Sequence, residues 1–250
     1  MNAPLIEIQK LRHQFQDHVV LDQISLKLFP NEIVTLLGPS GCGKSVFLKI
    51  ILDLLKLQSG EIKKSNELGF MSIAFQDSLL FPWLTVRENI EICMNSAVQS
   101  RQEKREKVNQ LLIQTRLEEF ADYYPSELSG GMKQKVNIIR CFSNESQVIL
   151  MDEPFNSLDS IQRNELQDFT LRMVRELKKT ILFVTHDIDE ALYLSHRILL
   201  FSKSPGRILE EIQIPFPWPR TAQSMRQEKE YASIYSLIHS HLKKEVGSHV

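Results

Sequence analysis

One loop constrains the fold of this chain more than any other feature of its sequence. It lies between the apolar run Ile33 to Leu37, which predicts a buried parallel strand, and the predicted helix Lys44 to Leu55. Its residues fit the pattern G-x-x-x-x-G-K-[ST], and they are Gly38, Pro39, Ser40, Gly41, Cys42, Gly43, Lys44 and Ser45. The glycines let backbone N–H groups turn toward an anion, and the helix adds its positive N-terminal end. A strand, such a loop and a helix in this order predict an α/β protein that binds the phosphates of a nucleotide.

Acidic residues at the end of another apolar run complete this chemistry. Lys44 supplies a charge for the β- and γ-phosphates, and the Ser45 hydroxyl can bind Mg²⁺. The run Val148 to Met151 ends in Asp152 and Glu153. Many strands end in acids at a solvent edge, so the pair alone is a weak signal. Beside a phosphate loop, it predicts that Asp152 holds Mg²⁺ and that Glu153 polarises the attacking water.

The remaining pattern alternates strands with helices, which predicts a largely parallel sheet. Further strands are predicted at Leu5 to Leu11, Val19 to Leu28, Phe70 to Phe75, Ile181 to Thr185, Arg197 to Ser202 and Ile208 to Ile214, with turns at Asp17-His18 and Ser59-Gly60. From Thr85 to about Phe142 the chain is typical of helices, and Thr85 with Glu88 fits a capping box. A later helix places on one face Leu166, Phe169, Met173 and Leu177.

Composition narrows the classes of function. The formal net charge is −1, without a long block of one sign, which argues against a nucleic-acid partner. Cys42, Cys93 and Cys141 are scattered and odd in number, which fits a reducing cytosol. His239 and His241 are interpreted as a solvated helix end rather than a metal site.

No apolar run reaches the ~18 residues that span a bilayer, and the N-terminus has no signal-peptide core. We therefore expect membrane association only through a protein partner.

A second anion-binding turn is predicted far along the chain. Ser129, Gly130 and Gly131 stand between Leu128 and Met132 and open a predicted helix. A simple helix cap would need Ser129 alone. Two such turns in one chain suggest that one nucleotide is held between two copies, each of which supplies one turn.

With these motifs in order, the sequence resembles the nucleotide-binding subunit of ATP-binding-cassette transporters over nearly its whole length. Gly38 to Ser45 resembles the family's Walker A motif, Leu128 to Met132 its signature and Val148 to Glu153 its Walker B motif. Other single positions match further family motifs: Phe15 the aromatic residue against adenine, Gln76 the Q-loop, Asp159 the D-loop and His186 the switch histidine. Taken singly, Phe15 could be a core residue, and the other three could be ordinary polar residues.

The resemblance implies an ATPase that uses ATP and Mg²⁺. Two copies would face head to tail, with each ATP between the Walker A motif of one copy and the signature of the other. Ser45, Gln76 and Asp152 would hold Mg²⁺, and Glu153 would position or deprotonate the water. His186 would steady charge at the γ-phosphate.

The resemblance also implies partners and a location. Gln76 would couple the nucleotide to a helical part of the chain that receives an integral membrane permease. An extracytoplasmic solute-binding protein would act indirectly. The chain would be peripheral, at the cytoplasmic face of the inner membrane.

The fold that the resemblance implies is a P-loop NTPase core with a mostly parallel sheet, an N-terminal antiparallel β part and a helical subdomain insertion. The expected division places the first part of the core at residues 1–84 and the helical subdomain at 85–143. The second part of the core follows at 144–215, and a Pro-rich segment with a helix at 216–250.

Some positions depart from the family pattern. Val46 replaces the usual Thr, whose hydroxyl can reach the α-phosphate; the lost hydrogen bond is worth about 0.5–1.5 kcal/mol. Met132 replaces the commoner Gln, and Lys135 the usual Arg. Asn137 and Cys141 stand where small residues such as Ala are usual. No chemistry-bearing position is lost, so an active ATPase is expected.

Two segments resemble importers for nitrate, taurine and other sulfonates. They are Phe75 to Val86 and Ser204 to Ile208, although Ser204 replaces an Arg and Pro205-Gly206 could be only a hairpin turn. An exporter or lipid-transport ATPase, a non-transport cassette acting on DNA or ribosomes, and a non-hydrolysing scaffold remain alternatives. Cargo is chosen by other subunits, so the sequence does not name it directly.

Overall fold

The computed structural model describes residues 3–66, 68–94 and 100–247, which form two compact units. The first unit comprises residues up to Leu68 and from Thr180 onward, and the second runs from Gly69 to Lys179. The strands are β1 (Ile6–Phe15), β2 (His18–Leu28), β3 (Ile33–Leu37), β4 (Ser59–Lys64), β5 (Met71–Ala74), β6 (Val148–Asp152), β7 (Thr180–Thr185), β8 (Arg197–Phe201) and β9 (Ile208–Gln213). The helices are α1 (Lys44–Ile51), α2 (Val86–Glu91), α3 (Arg101–Thr115), α4 (Gly130–Ser143), α5 (Ser160–Leu177), α6 (Ile188–Leu194), α7 (Ala222–Gln227) and α8 (Tyr231–Gly247).

An antiparallel sheet in the first unit has the order β2-β1-β4. β1 and β2 form the predicted hairpin. Its turn contains Gln16 and Asp17, one residue earlier than predicted, because His18 already pairs with Phe15.

The predicted turn at Ser59-Gly60 is wrong, because both residues begin β4. The backbone of Gly60 has φ +94°, and a Cβ there would lie 2.6 Å from the carbonyl oxygens of Gln9 and Lys10. A glycine therefore permits the close pairing of β4 with β1, next to a register shift in that ladder.

Parallel strands bring the ends of β3 and β7 to one edge of the sheet in the first unit. β7 and β8 flank β3 and run parallel to it, and β9 pairs antiparallel with β8. All residues of β3 are buried, as its apolar sequence predicts. Leu37 pairs with Thr185, so the residues that follow these two strands leave the sheet side by side.

Helix α1 is shorter than the predicted segment Lys44 to Leu55. It ends at Ile51, and Asp53 adopts the left-handed conformation with φ +60°. The N–H groups of Leu54 and Leu55 both donate to the Lys49 carbonyl, so the chain curls back instead of extending the helix. Sequence periodicity does not detect such an end, because Leu54 and Leu55 continue the apolar pattern.

The second unit contains the parallel pair β5 and β6 and helices α2 to α5. The capping box predicted at Thr85 and Glu88 is confirmed, since each residue's side chain bonds the other's backbone N–H. Leu166, Phe169 and Met173 form the buried face of α5, while Leu177 is 40% exposed near its end. Throughout the residues described, no helix combines the length and the apolar character needed to cross a lipid bilayer.

The second unit extends beyond the helical segment proposed for residues 85–143. It includes β5 and β6 because these strands pair with each other, and α4 contacts β5. The division at residues 84, 143 and 215 stays a prediction.

His196 fixes the start of β3. Its Nδ1 atom accepts a hydrogen bond of 3.0 Å from the Ile33 backbone N–H, and its ring stacks on Trp218 with 5.2 Å between centroids. Burial lowers the pKa of His196 below its ordinary value, and the charge of Arg220 lowers it further. The folded protein therefore favours the neutral ring, which can accept the Ile33 N–H.

We expect the free energy of unfolding to fall as the pH decreases below the unfolded histidine pKa of about 6.5, because the unfolded chain binds that proton more readily. The contribution of His196 is fully present above this pH. It is lost toward the lower folded pKa, at up to ~1.4 kcal/mol per pH unit.

Urea unfolding at several pH values tests this expectation on the His196→Asn variant, whose side-chain oxygen can accept the same N–H without titrating. The variant should show a smaller loss of stability in acid than the wild type. His239→Asn, at an exposed position of α8, is the control. An unchanged pH dependence in His196→Asn would contradict the role given to this ring.

Candidate functional site

The loop after β3 is shaped by backbone contacts that side chains would block. A Cβ on Gly38 would lie 2.8 Å from the Phe201 Cβ, and one on Gly43 would lie 2.9 Å from side-chain atoms of Val20 and Leu21. Gly43 also has φ +99°. Gly41 differs: its φ is +77°, yet a Cβ there would meet nothing within 4 Å. The backbone at Gly41 is therefore open to a ligand, while Gly38 and Gly43 hold the loop in place.

Lys44 lies inside the curve of this loop. Its Nζ atom donates to the carbonyls of Gly38 at 2.7 Å and Pro39 at 2.8 Å, with a longer contact of 3.6 Å to the Cys42 sulfur. The side chain is 4% exposed. These partners are neutral, since burial raises the pKa of the Cys42 thiol, so the positive charge of Lys44 remains uncompensated by them.

The N-terminus of α1 has the features of an anion site. Its N-cap, Gly43, offers no side-chain acceptor to the first N–H groups, and no acidic residue lies in the first turn. Ser45 is exposed, as is Ser40 in the loop, and Val46 is half-buried. The first turn thus keeps its positive dipole end available to a phosphate.

The loop is backed by the connection between β8 and β9. A Cβ on Gly206 would lie 2.3 Å from the Cys42 carbonyl oxygen. Gly206 also bonds β2, donating to the Val20 carbonyl at 2.8 Å and accepting from Asp22 N–H at 3.0 Å. The segment Ser204 to Ile208 is therefore a hairpin turn that also packs against the loop, a contact that sequence reasoning missed.

Two further predicted residues lie in the first unit. His186 is exposed and follows Thr185, whose strand partner Leu37 precedes Gly38, so His186 and the loop leave the sheet at the same edge. Phe15 ends β1 with 48% of its surface exposed. Its ring and that of His13 meet in a T-shaped arrangement, with 4.8 Å between the ring centroids.

The two predicted acids in the second unit lie at the end of β6. Asp152 is buried at the last strand position. Glu153 follows with φ +47°, an uncommon conformation for this residue type. Its carboxylate accepts a hydrogen bond from the Asn156 amide, which holds it in place. Sequence reasoning did not identify Asn156, because a polar residue three positions on is common in turns.

A second glycine turn begins α4. Ser129 caps the helix by accepting a 3.3 Å hydrogen bond from the Met132 N–H. A Cβ on Gly131 would lie 2.3 Å from Gln162 Oε1 and 3.1 Å from Leu158, whereas one on Gly130 would meet nothing within 4 Å. Packing explains Gly131 but not Gly130. The open approach to the first turn of α4 is what an anion site requires.

Asp159 and Gln76 complete the predicted set. Asp159 caps α5 by accepting from the N–H groups of Ile161 at 3.0 Å and Gln162 at 2.9 Å. The contact of Gly131 with Gln162 therefore brings the starts of α4 and α5 together. Gln76 is exposed and follows Phe75, whose carbonyl accepts a 2.9 Å hydrogen bond from the Asn137 amide on α4.

Comparison with known proteins agrees with this geometry. The sequence profile of the ABC transporter family matches residues 21–156. An aliphatic sulfonates import ATP-binding protein of Bacillus cereus is 44% identical and covers 82% of each chain. One from Pseudomonas syringae pv. tomato is 40% identical over 86% of this chain and 90% of its own. Among solved structures, a dimeric post-hydrolysis state of an ATP-binding cassette bound to ADP and Pi has a TM-score of 0.74 and 29% identity. That match covers 85% of this chain and all of the other.

We expect Gly130→Ala to lower the rate of phosphate release from ATP by ~10-fold or more, because a methyl group would enter the open approach to α4. The free energy of unfolding should change by less than ~1 kcal/mol. Gly69→Ala is the matched control, since a Cβ there also meets nothing within 4 Å and the residue belongs to no motif. Equal rates in Gly130→Ala and wild type would remove the anion role of this turn.

Proposed function

The chain belongs to the ABC transporter family as an ATP-binding, ATP-hydrolysing cassette, and on this premise we propose that it powers import of a sulfonate or a similar small anion through a separate membrane permease. The observation that carries the ATPase role is the pair of glycine turns, one in the loop before α1 and one at the start of α4, in each of which one glycine would place a Cβ with nothing within 4 Å. The anion cargo is supported by the names of the Bacillus and Pseudomonas relatives, which are aliphatic sulfonates import ATP-binding proteins.

The residues of the first unit fit the phosphates of ATP. Lys44 carries a charge that its carbonyl partners do not neutralise, and Gly41 leaves the backbone open. Gly38, Gly43 and the α1 N-terminus would bind the β- and γ-phosphates. Phe15, exposed at the end of β1, would stack on adenine.

Hydrolysis needs a metal ion, a base and a group that stabilises charge. The Ser45 hydroxyl and the carboxylate of Asp152, with the Gln76 amide, suit the oxygen ligands that Mg²⁺ prefers. Glu153, held by Asn156, would orient or deprotonate the water. His186 would stabilise the developing charge at the γ-phosphate.

The proposed assembly of two copies follows from the glycine turn on α4, which is separate from the loop before α1. Ser129, Gly130 and Gly131 would bind the γ-phosphate of an ATP held by a second copy, and Asp159 would lie near that interface. The dimeric cassettes among the solved neighbours support this arrangement. We place the dimer on membrane permease subunits at the cytoplasmic face of the inner membrane, with a solute-binding protein acting outside.

Uptake measurements test the direction and class of transport. Cells that lack this chain should lose uptake of a labelled alkanesulfonate and regain it when the wild-type chain is returned, but not the Lys44→Ala variant. Uptake of labelled nitrate in the same cells identifies the other anion class. Unchanged uptake of both anions in cells that lack the chain would contradict the proposed import. Slower release of a preloaded solute from those cells would contradict it as well.

We expect Glu153→Gln to bind ATP and Mg²⁺ and to accumulate as a stable dimer with little turnover, because the amide cannot take a proton from water. Size-exclusion chromatography with ATP and Mg²⁺, together with phosphate release, checks both parts. Glu119→Gln, at an exposed position outside the motifs, should behave like the wild type. Wild-type turnover in Glu153→Gln would refute the assignment of the base.

Val46→Thr should tighten ATP binding modestly. The new hydroxyl restores a hydrogen bond worth about 0.5–1.5 kcal/mol, which corresponds to at most ~10-fold in Kd. Titration with a fluorescent ATP analogue measures the change in Kd. Val46→Ala is the control, because it alters the side chain without adding a hydroxyl. Equal or weaker binding by Val46→Thr would show that this position does not reach a phosphate.

A further inference from the structure

A row of polar side chains on α4 holds the backbone of the segment Phe75 to Phe81. The Asn137 amide donates to the Phe75 carbonyl at 2.9 Å, and Gln134 makes a longer contact of 3.5 Å with the same oxygen. Arg140 donates to the Leu79 carbonyl at 3.0 Å, and its guanidinium carbon lies 5.3 Å from the centroid of the Phe81 ring. The three residues are spaced by three along the helix, so they share one face.

The stability of the core does not by itself explain why buried positions on this face of α4 carry polar side chains. Asn137 is 4% exposed and Gln134 is 2% exposed, on a helix whose neighbouring positions Ile138 and Ile139 are apolar and buried. A buried amide must find hydrogen-bond partners to offset its desolvation, and asparagine is a weak helix former. An aliphatic residue would fill such a position at lower cost. The amide of Asn137 instead satisfies one carbonyl of an irregular segment.

That carbonyl belongs to the residue directly before Gln76. A peptide plane connects the Phe75 carbonyl to the Gln76 N–H, so fixing the oxygen also fixes the direction in which the chain continues to Gln76. The helix that holds the oxygen begins at Gly130, where the open anion site lies. Asn137 is seven residues farther along, roughly 10 Å on a rigid helix.

We propose that Asn137 is a positioning residue that ties Gln76 to the anion-binding end of α4, with Arg140 as a second tether at Leu79. This inference rests on the proposed function, because it gives Gln76 a role in ATP turnover. A shift of α4 on binding phosphate moves the Phe75 carbonyl and therefore Gln76. Asn137 itself touches no reacting atom.

Asn137→Asp tests the tether, because it replaces the donating amide with a carboxylate that faces a carbonyl. The side chain changes little in shape. In the purified full-length chain, kcat should fall ~5-fold or more while KM for ATP changes less than ~2-fold. Asn109→Asp on α3 is the matched control. There the side-chain oxygen accepts a 2.5 Å hydrogen bond from the Arg87 guanidinium, which aspartate also does. Its kcat and KM should match the wild type.

A double-mutant cycle separates positioning from a general structural effect. Asn137→Ala should lower kcat in the wild-type background and have no further effect in Gln76→Ala. An equal fold-loss in both backgrounds, or full activity of Gln76→Ala, would overturn the inference. If Asn137→Asp loses its cooperative thermal transition, the Ala cycle decides the question alone.

Failure of the inference and failure of the proposed function give different results. If the wild-type chain releases no phosphate from ATP, the proposed function itself is wrong. If the wild type is active and the Asn137 variants keep its kcat, only the positioning role is wrong.

Discussion

Close approach of neighbouring residues to the backbone of a few glycines is the constraint on which the first unit depends. Gly38 lies against Phe201, Gly43 against Val20 and Leu21, and Gly206 against the Cys42 carbonyl. None of these contacts leaves room for a Cβ, so the loop between β3 and α1 is clamped from two sides. A rigid loop keeps its N–H groups aimed before a ligand arrives, which reduces the reorganisation that binding requires. The buried Lys44 supplies positive charge within this loop. Because the ends of β3 and β7 are paired, His186 leaves the sheet at the same edge as the loop.

The second unit relies on α4, which takes part in several tasks at once. Its start carries the open glycine turn, its side contacts the start of α5 through Gly131, and its polar face holds Phe75 and Leu79. A helix that joins three irregular segments is a rigid link between them, because its backbone hydrogen bonds do not change when it moves as a body. Asn137, one of the unusual residues at this helix, has a physical reason in these contacts.

Much of the fold could be predicted because it follows from local chemistry. The buried strand β3, the capping box at Thr85 and the apolar face of α5 were each determined by residues a few positions apart. The errors lie where backbone contacts that the apolar pattern does not encode decide the conformation. Gly60 belongs to a strand because β1 passes beside it, and α1 ends early because Lys49 accepts two N–H groups. Likewise, the candidate residues could be located from motifs. The hydrogen bonds from Asn156 to Glu153 and from Asn137 to Phe75 become visible only in the folded structure.

The connection between β8 and β9 has a consequence for the far end of the polypeptide. Glu245 on α8 accepts a 2.8 Å hydrogen bond from the Lys203 N–H, and three residues along the chain Gly206 presses on Cys42. The C-terminal helix is thus two contacts away from the loop between β3 and α1. Any ligand, proteolytic cut or fused tag that pulls α8 from this hairpin would loosen the support behind the nucleotide loop. Events at α8 would then reach the loop between β3 and α1 through this hairpin.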